Sequence, residues 1–103
     1  MNQFDVFANP EHPRQPNVPY VVTIQSDHFT DARTSVVIPL VRIATLKVTT
    51  AVNPSFEIGD ERLTLEPFQI AFIPTRLLRQ KVCSLVGERT SIVRDIDALL
   101  SGL

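Results

Sequence analysis

The hydrophobic period of this chain changes once, and that change sets its fold class. Leu85, Ile92, Ile96, Leu99 and Leu103 stand seven, four, three and four residues apart, the spacing of one helical face. Arg89, Arg94, Asp95 and Asp97 read as lying off that stripe. Ser84 is a candidate N-cap, and Gly102 stands where a helix often ends in a left-handed residue. A helix is therefore predicted over residues 86–100. Up to about Ile73 the apolar runs are short and cut by turn residues, which predicts strands. Strands followed by one terminal helix make a mainly-β or α+β fold, expected as a single domain over residues 1–103.

Within the strand-rich part, Phe4 and Val6 alternate with Gln3 and Asp5, which suits a half-buried first strand. Pro10, Pro13 and Pro16 make residues 8–17 a loop, because each removes a backbone donor. Tyr20, Val22 and Ile24 then define one face of a second strand, with Val21, Thr23 and Gln25 on the other. A polar connection over residues 26–34 leads to an apolar strand at 35–41, buried on both faces or at a subunit contact. Pro39 within it implies an edge position or a bulge. Residues 47–52 are β-branched and end at the turn signal Asn53-Pro54-Ser55. Residues 56–58, the turn Gly59-Asp60 and residues 63–65 form a small meander, a wing on the main sheet. Residues 68–73 are predicted as the last strand, closed by Pro74.

Composition narrows the function. The 103 residues carry ten basic and eleven acidic side chains, for a net charge of −1. Direct nucleic-acid binding needs clustered Lys and Arg to displace phosphate counterions, so it is not expected here. Cys83 is the sole cysteine. It allows no internal disulfide and reads as a small buried hydrophobe beside the helix. The start of the chain lacks a signal-peptide pattern and no apolar run approaches a membrane span, which predicts a cytoplasmic protein.

The search for reactive groups returns little. His12, beside Glu11 in the proline loop, reads as a solvated loop residue. Ser26-Asp27-His28 offers hydroxyl, carboxylate and imidazole, but sequence neighbours do not converge as a triad must. Ser26 and Asp27 read as local turn hydrogen-bonders. Neither a Gly-rich phosphate loop nor metal-ligand spacing is present, so no metal and no cofactor is expected. Glu57, Asp60 and Glu61 form an acidic hairpin tip. Arg76, Arg79 and Lys81 form a modest basic cluster, solvated or else paired with an acidic partner segment. A chain of this size without a catalytic set is expected to act by binding rather than as an enzyme.

Several literal strings add to this reading. Val22-Thr23-Ile24-Gln25-Ser26-Asp27, Val36-Val37-Ile38-Pro39-Leu40, Ile58-Gly59-Asp60-Glu61 and Ile73-Pro74 occur in order. They precede a helix with Ile92 and Ile96 that ends in a Gly-aliphatic pair. In this the chain resembles the CcdB family of bacterial toxins over nearly its whole length, with a longer loop around residues 9–17 and a slightly shorter segment between 40 and 53. The resemblance implies a small SH3-like antiparallel barrel with a C-terminal helix, the fold of the Kid and MazF toxins. It implies a homodimer that wedges into the DNA gyrase A-subunit dimer and traps cleaved DNA, neutralised by a CcdA-like antitoxin.

The resemblance also implies gyrase-binding positions, and this chain departs from the family at most of them. The family's Trp-Gly-Ile terminus corresponds to Ser101, Gly102 and Leu103, and the chain contains no tryptophan. The two isoleucines after Gln-Ser-Asp become His28 and Phe29. An exposed helical asparagine becomes Asp97, and the phenylalanine before the tryptophan becomes Leu100. Two alternatives stay open: a MazF-like endoribonuclease on the same fold, and a scaffold that retains antitoxin binding but has lost gyrase poisoning.

Overall fold

In the computed structural model, residues 1–29, 32–42 and 53–101 are described. Among the described residues, seven antiparallel strands curl into a half-barrel that one C-terminal helix covers. The strands are β1 (Asp5–Ala8), β2 (Tyr20–Thr23), β3 (Thr34–Arg42), β4 (Ser55–Ile58), β5 (Glu61–Leu65), β6 (Ala71–Pro74) and β7 (Lys81–Ser84), followed by α1 (Arg89–Ser101). They pair in the order β4-β5-β3-β2-β1-β7, and β6 pairs with β3.

The long strand β3 organises this sheet. On one side it pairs with β2 throughout, with Tyr20 opposite Leu40 and Thr23 opposite Val37. On the other side it changes partner: residues 34–37 pair with β6 and residues 40–42 with β5. Pro39 falls in the gap between them. The strand is therefore central, and the edge expected from its proline is not found. The Pro39 carbonyl accepts the Glu66 N–H at 3.1 Å. In a strand a residue's nitrogen and carbonyl point the same way, so the missing donor faces the gap and costs no ladder bond.

Alternation sorts the side chains onto two faces. Val6, Val22, Ile38, Leu40, Leu63 and Leu65 form the main core with Phe4, Phe56, Ile58, Leu85 and Ile92 of the helix. On the opposite face Phe7, Val21, Val37 and Leu78 make a smaller cluster, flanked by Ala71 and Ile73. Both faces of β3 are thus covered within one chain. The β4–β5 hairpin forms as predicted, with Gly59 at φ 63° in its turn, where a side chain would be strained. Through β5 it joins the main sheet.

Three other expectations are corrected. The first strand starts at Asp5, not Gln3, and Asp5 is buried because both faces of β1 are covered. Phe4 precedes it at φ 69°, unusual for a bulky residue. It is held there by its own burial, by backbone bonds to Thr23 and Leu85, and by the Arg89 guanidinium 5.7 Å from its ring centre. The predicted strand over 68–73 splits into a 3₁₀ turn, Pro67–Gln69, and the short β6. Pro67 at the first position and the Glu66 carboxylate, which accepts the Phe68 N–H at 3.4 Å, favour the turn.

The last strand is instead β7, which pairs with β1 across a bulge that leaves Val82 unmatched. The helix begins in a 3₁₀ turn, Val86–Glu88, and runs as α1 to Ser101. Ser84 accepts the Val86 N–H at 3.2 Å. The cap position of that turn is Leu85, however, which makes no side-chain capping bond, so the N-cap expected at Ser84 is not found. The β-branched run 47–52 and the proposed stop at Gly102 lie outside the described residues.

Candidate functional site

The helix places its residues according to how deep they sit. Ile92 is fully buried in the main core, with Val93 and Ile96 packed against it. Leu100, by contrast, is 79% exposed, and Asp97 and Ser101 are also on the surface. The Ser101 hydroxyl donates to the Asp97 carbonyl at 2.6 Å, a bond internal to the helix. An open depression of about 700 Å³ follows this outer face, lined among others by Thr90, Val93, Arg94, Asp97, Ala98 and Ser101. It mixes apolar groups with one acid, Asp97, and two bases, Arg89 and Arg94, and holds no nucleophile–base pair. A surface of that kind can seat another protein.

His28 and Phe29 belong to a 3₁₀ turn, Asp27–Phe29, in which His28 is exposed. The Asp27 carboxylate accepts the Gln3 N–H at 2.6 Å, a long-range tie rather than the local bond expected. Ser26 behaves as expected and accepts the His28 N–H at 3.2 Å. Asp27 shares a cavity with Arg89, in the first turn of α1. Ser101 lies about 18 Å further along the helix axis at 1.5 Å per residue. No hydrogen bond or ion pair among the described residues joins His28 to the helix end. Gly102 and Leu103 lie outside the described residues.

Asp95 overturns its predicted place off the apolar stripe. Three residues beyond Ile92 on the same face, it is only 2% exposed. Its Oδ2 has no hydrogen-bond partner. Burial, and then the negative charge of Glu66, raise its pKa to about 6. Such a carboxyl is disfavoured when ionised and shifts toward its neutral form.

Other polar groups serve the scaffold. Buried Asp5 forms an ion pair with Lys81 at 3.4 Å, tying β1 to β7 and taking Lys81 out of the predicted basic cluster. At the acidic tip, Glu61 accepts two bonds from Arg42 at 3.0 Å, and Glu57 pairs with Arg62 at 3.4 Å. Arg42 also donates to the Pro16 carbonyl, clasping the proline loop to the sheet. His12 is partly enclosed rather than fully solvated, and its Nδ1 has no partner. Cys83 is half-buried on β7 against the core, and that burial raises its pKa.

The family model described as CcdB protein matches residues 3–102. The chain belongs to the CcdB family. It is thereby a toxin of a toxin–antitoxin system. No curated protein matches the chain. Within this CcdB frame the structure adds an apolar patch that the sequence reading passed over. Phe68 is 77% exposed, Phe72 is 74% exposed, and Ile70 between them is also exposed. Their spacing of two residues was the available signal. It falls within the strand predicted over residues 68–73.

Proposed function

We propose that this protein is a homodimeric poison of DNA gyrase, neutralised by a CcdA-like antitoxin. The observation that carries the reading is the family match over residues 3–102, joined to a helix end that the fold itself does not use. Asp97, Leu100 and Ser101 are exposed there, while the core is completed by residues earlier in the helix. The proposed gyrase-contact set is His28, Phe29, Asp97, Leu100, Ser101, Gly102 and Leu103. In one protomer the structure sets Asp27, beside His28, near the start of α1, and Ser101 at its end. A second copy would be needed to bring the two groups into one contact surface.

The exposed Phe68, Ile70 and Phe72 support the dimer. Contiguous large apolar side chains are costly to leave in water and commonly mark interfaces. A gyrase wedge must match the two-fold symmetry of its target, which a symmetric dimer does. The test is growth arrest on expression, in cells with ordinary gyrase and in cells whose gyrase A carries a toxin-resistance substitution. Arrest relieved by the resistant gyrase is expected, with sedimentation showing a dimer at micromolar concentration. Arrest in both strains, or a monomer, would remove the reading.

One observation favours a second reading, in which antitoxin binding persists and gyrase poisoning is lost. Ser101 stands where the family carries tryptophan, and aromatic anchors dominate many interfaces. Calorimetry against the antitoxin and against a gyrase A fragment separates the two. Binding to the antitoxin alone would select the second reading.

A further inference from the structure

The inner face of α1 carries one carboxyl that the core does not require. Asp95 is 2% exposed, and its Oδ2 has no hydrogen-bond partner. The turn packed against that helix, Pro67–Gln69, is itself headed by an acid, Glu66. Glu66 has little freedom to withdraw. Its two chain neighbours, Leu65 and Pro67, are fully buried, Leu65 in the same core cluster as Ile92. The Glu66 N–H donates to the Pro39 carbonyl at 3.1 Å, and the Glu66 carboxylate accepts the Phe68 N–H at 3.4 Å. Two acids therefore interact across the contact between helix and turn. The other charges near the helix stand in water: Glu88, Arg89, Arg94 and Asp97 are all exposed. From the sheet, Tyr20 and Cys83 reach the edge of the core as titratable groups, and neither is a cation that could pair with Asp95.

We infer that Asp95 and Glu66 form a pH-sensitive latch that ties α1 to the turn displaying Phe68. Two negative charges repel more strongly where water is scarce, so the pair favours holding one proton. The proton resides on Asp95, the more deeply buried of the two. Burial and then the charge of Glu66 raise the Asp95 pKa to about 6. With the proton in place, the helix rests on the turn without repulsion. As pH rises through 6 the proton leaves, and the new charge pushes against Glu66. Glu66 is the residue whose bond to the Phe68 N–H shapes the turn. Phe68 is 77% exposed and opens the apolar patch that continues through Ile70 and Phe72. The latch thus governs how that patch is presented. It is closed in mild acid and loosened toward neutral pH, because the form that binds the proton more tightly is favoured at low pH.

The experiment is NMR of the full chain between about pH 4 and about pH 8, following the Asp95 carboxyl carbon and the Phe68 amide together. Expected in the wild type is a Phe68 amide shift that moves with the Asp95 midpoint. Glu66→Gln removes the neighbouring charge and should lower that midpoint by roughly 0.5 pH unit, since burial, the larger cause, remains. Asp95→Asn should abolish the step at Phe68. Both substitutions conserve side-chain size, and thermal melts check that the variants fold. The wild-type curves test the latch without either variant: a Phe68 amide indifferent to the Asp95 titration, or an Asp95 that does not titrate in this range, would overturn it. An Asp95 midpoint left unchanged by Glu66→Gln would remove the pairing. A step at Phe68 that survives in Asp95→Asn would assign the response to Glu66 alone and likewise overturn the inference.

Discussion

The two halves of α1 obey different rules. Its first half carries Ile92 and Asp95, both buried, Ile92 in the main core. Its last turn carries Asp97, Leu100 and Ser101, which make no contact that the core requires. One continuous helix thus serves as a wedge in the core and as a handle outside it. The difference teaches where mutation should unfold the protein and where it should only disarm it. A 13-residue helix is long enough to do both, because burial of its first two turns anchors the rest.

The hardest blow to the comparison is Ile92→Ala. Removing a fully buried side chain should cost about 3 kcal/mol, from lost transfer energy and the cavity left behind. Urea unfolding at constant m-value would measure it. A loss below about 1 kcal/mol would mean that the first half of the helix is not the anchor.

At the other end, Ser101→Trp should leave stability nearly unchanged and strengthen binding to a gyrase A fragment. An aromatic–guanidinium contact of ~1.4 kcal/mol corresponds to roughly tenfold in Kd. Unchanged affinity by calorimetry would place the gyrase surface elsewhere.

Asp95 sharpens the comparison through pH. Its folded pKa, about 6, lies above the ordinary 3.8. A raised pKa favours the fold at low pH, and the advantage is lost as pH rises through 6. Wild type minus Asp95→Asn should therefore show the wild type losing stability between about pH 4 and pH 7. By pH 7.5 the variant should be ahead by about 1 kcal/mol, a figure reduced for water near the helix surface. Thermal melts of both proteins across that range check it. Parallel curves would show that the buried carboxyl does not titrate in this window.

The smallest expected effect is deletion of residues 101–103. It removes only the end of the handle, so the melting curve should shift by no more than the equivalent of about 0.5 kcal/mol. Growth arrest should nevertheless disappear. A truncated protein that remains fully toxic would show that the last turn is scaffold after all.

Much of this arrangement was legible along the chain because it depends on local period and local turn chemistry. The helix, the β4–β5 hairpin with its Gly59 turn, and the two-faced strands near Val22 and Ile38 follow from spacing alone. The same strings carried the family resemblance, which the family match bears out. Pro39 could not be placed that way. Its tolerance in a central strand depends on where β6 stops and β5 starts, and pairings between distant segments set both limits. The short β7 was missed because Lys81-Val82-Cys83-Ser84 has no strong period of its own. It is a strand because β1 offers it an open edge.

Side-chain polarity was the poorest guide. Asp95 reads as lying off the apolar stripe, yet helical geometry places it three residues past Ile92 and beneath the surface. Lys81 was read as part of a basic cluster, yet the fold spends it on Asp5 and brings Arg33 to the remaining arginines. The sequence by itself determined the elements, the apolar faces and the family, since these rest on periodicities of a few residues and on short strings. Only the tertiary structure decided which charges are buried and which are paired. Those outcomes depend on Coulomb and desolvation terms between groups far apart in the chain, and no local pattern encodes them.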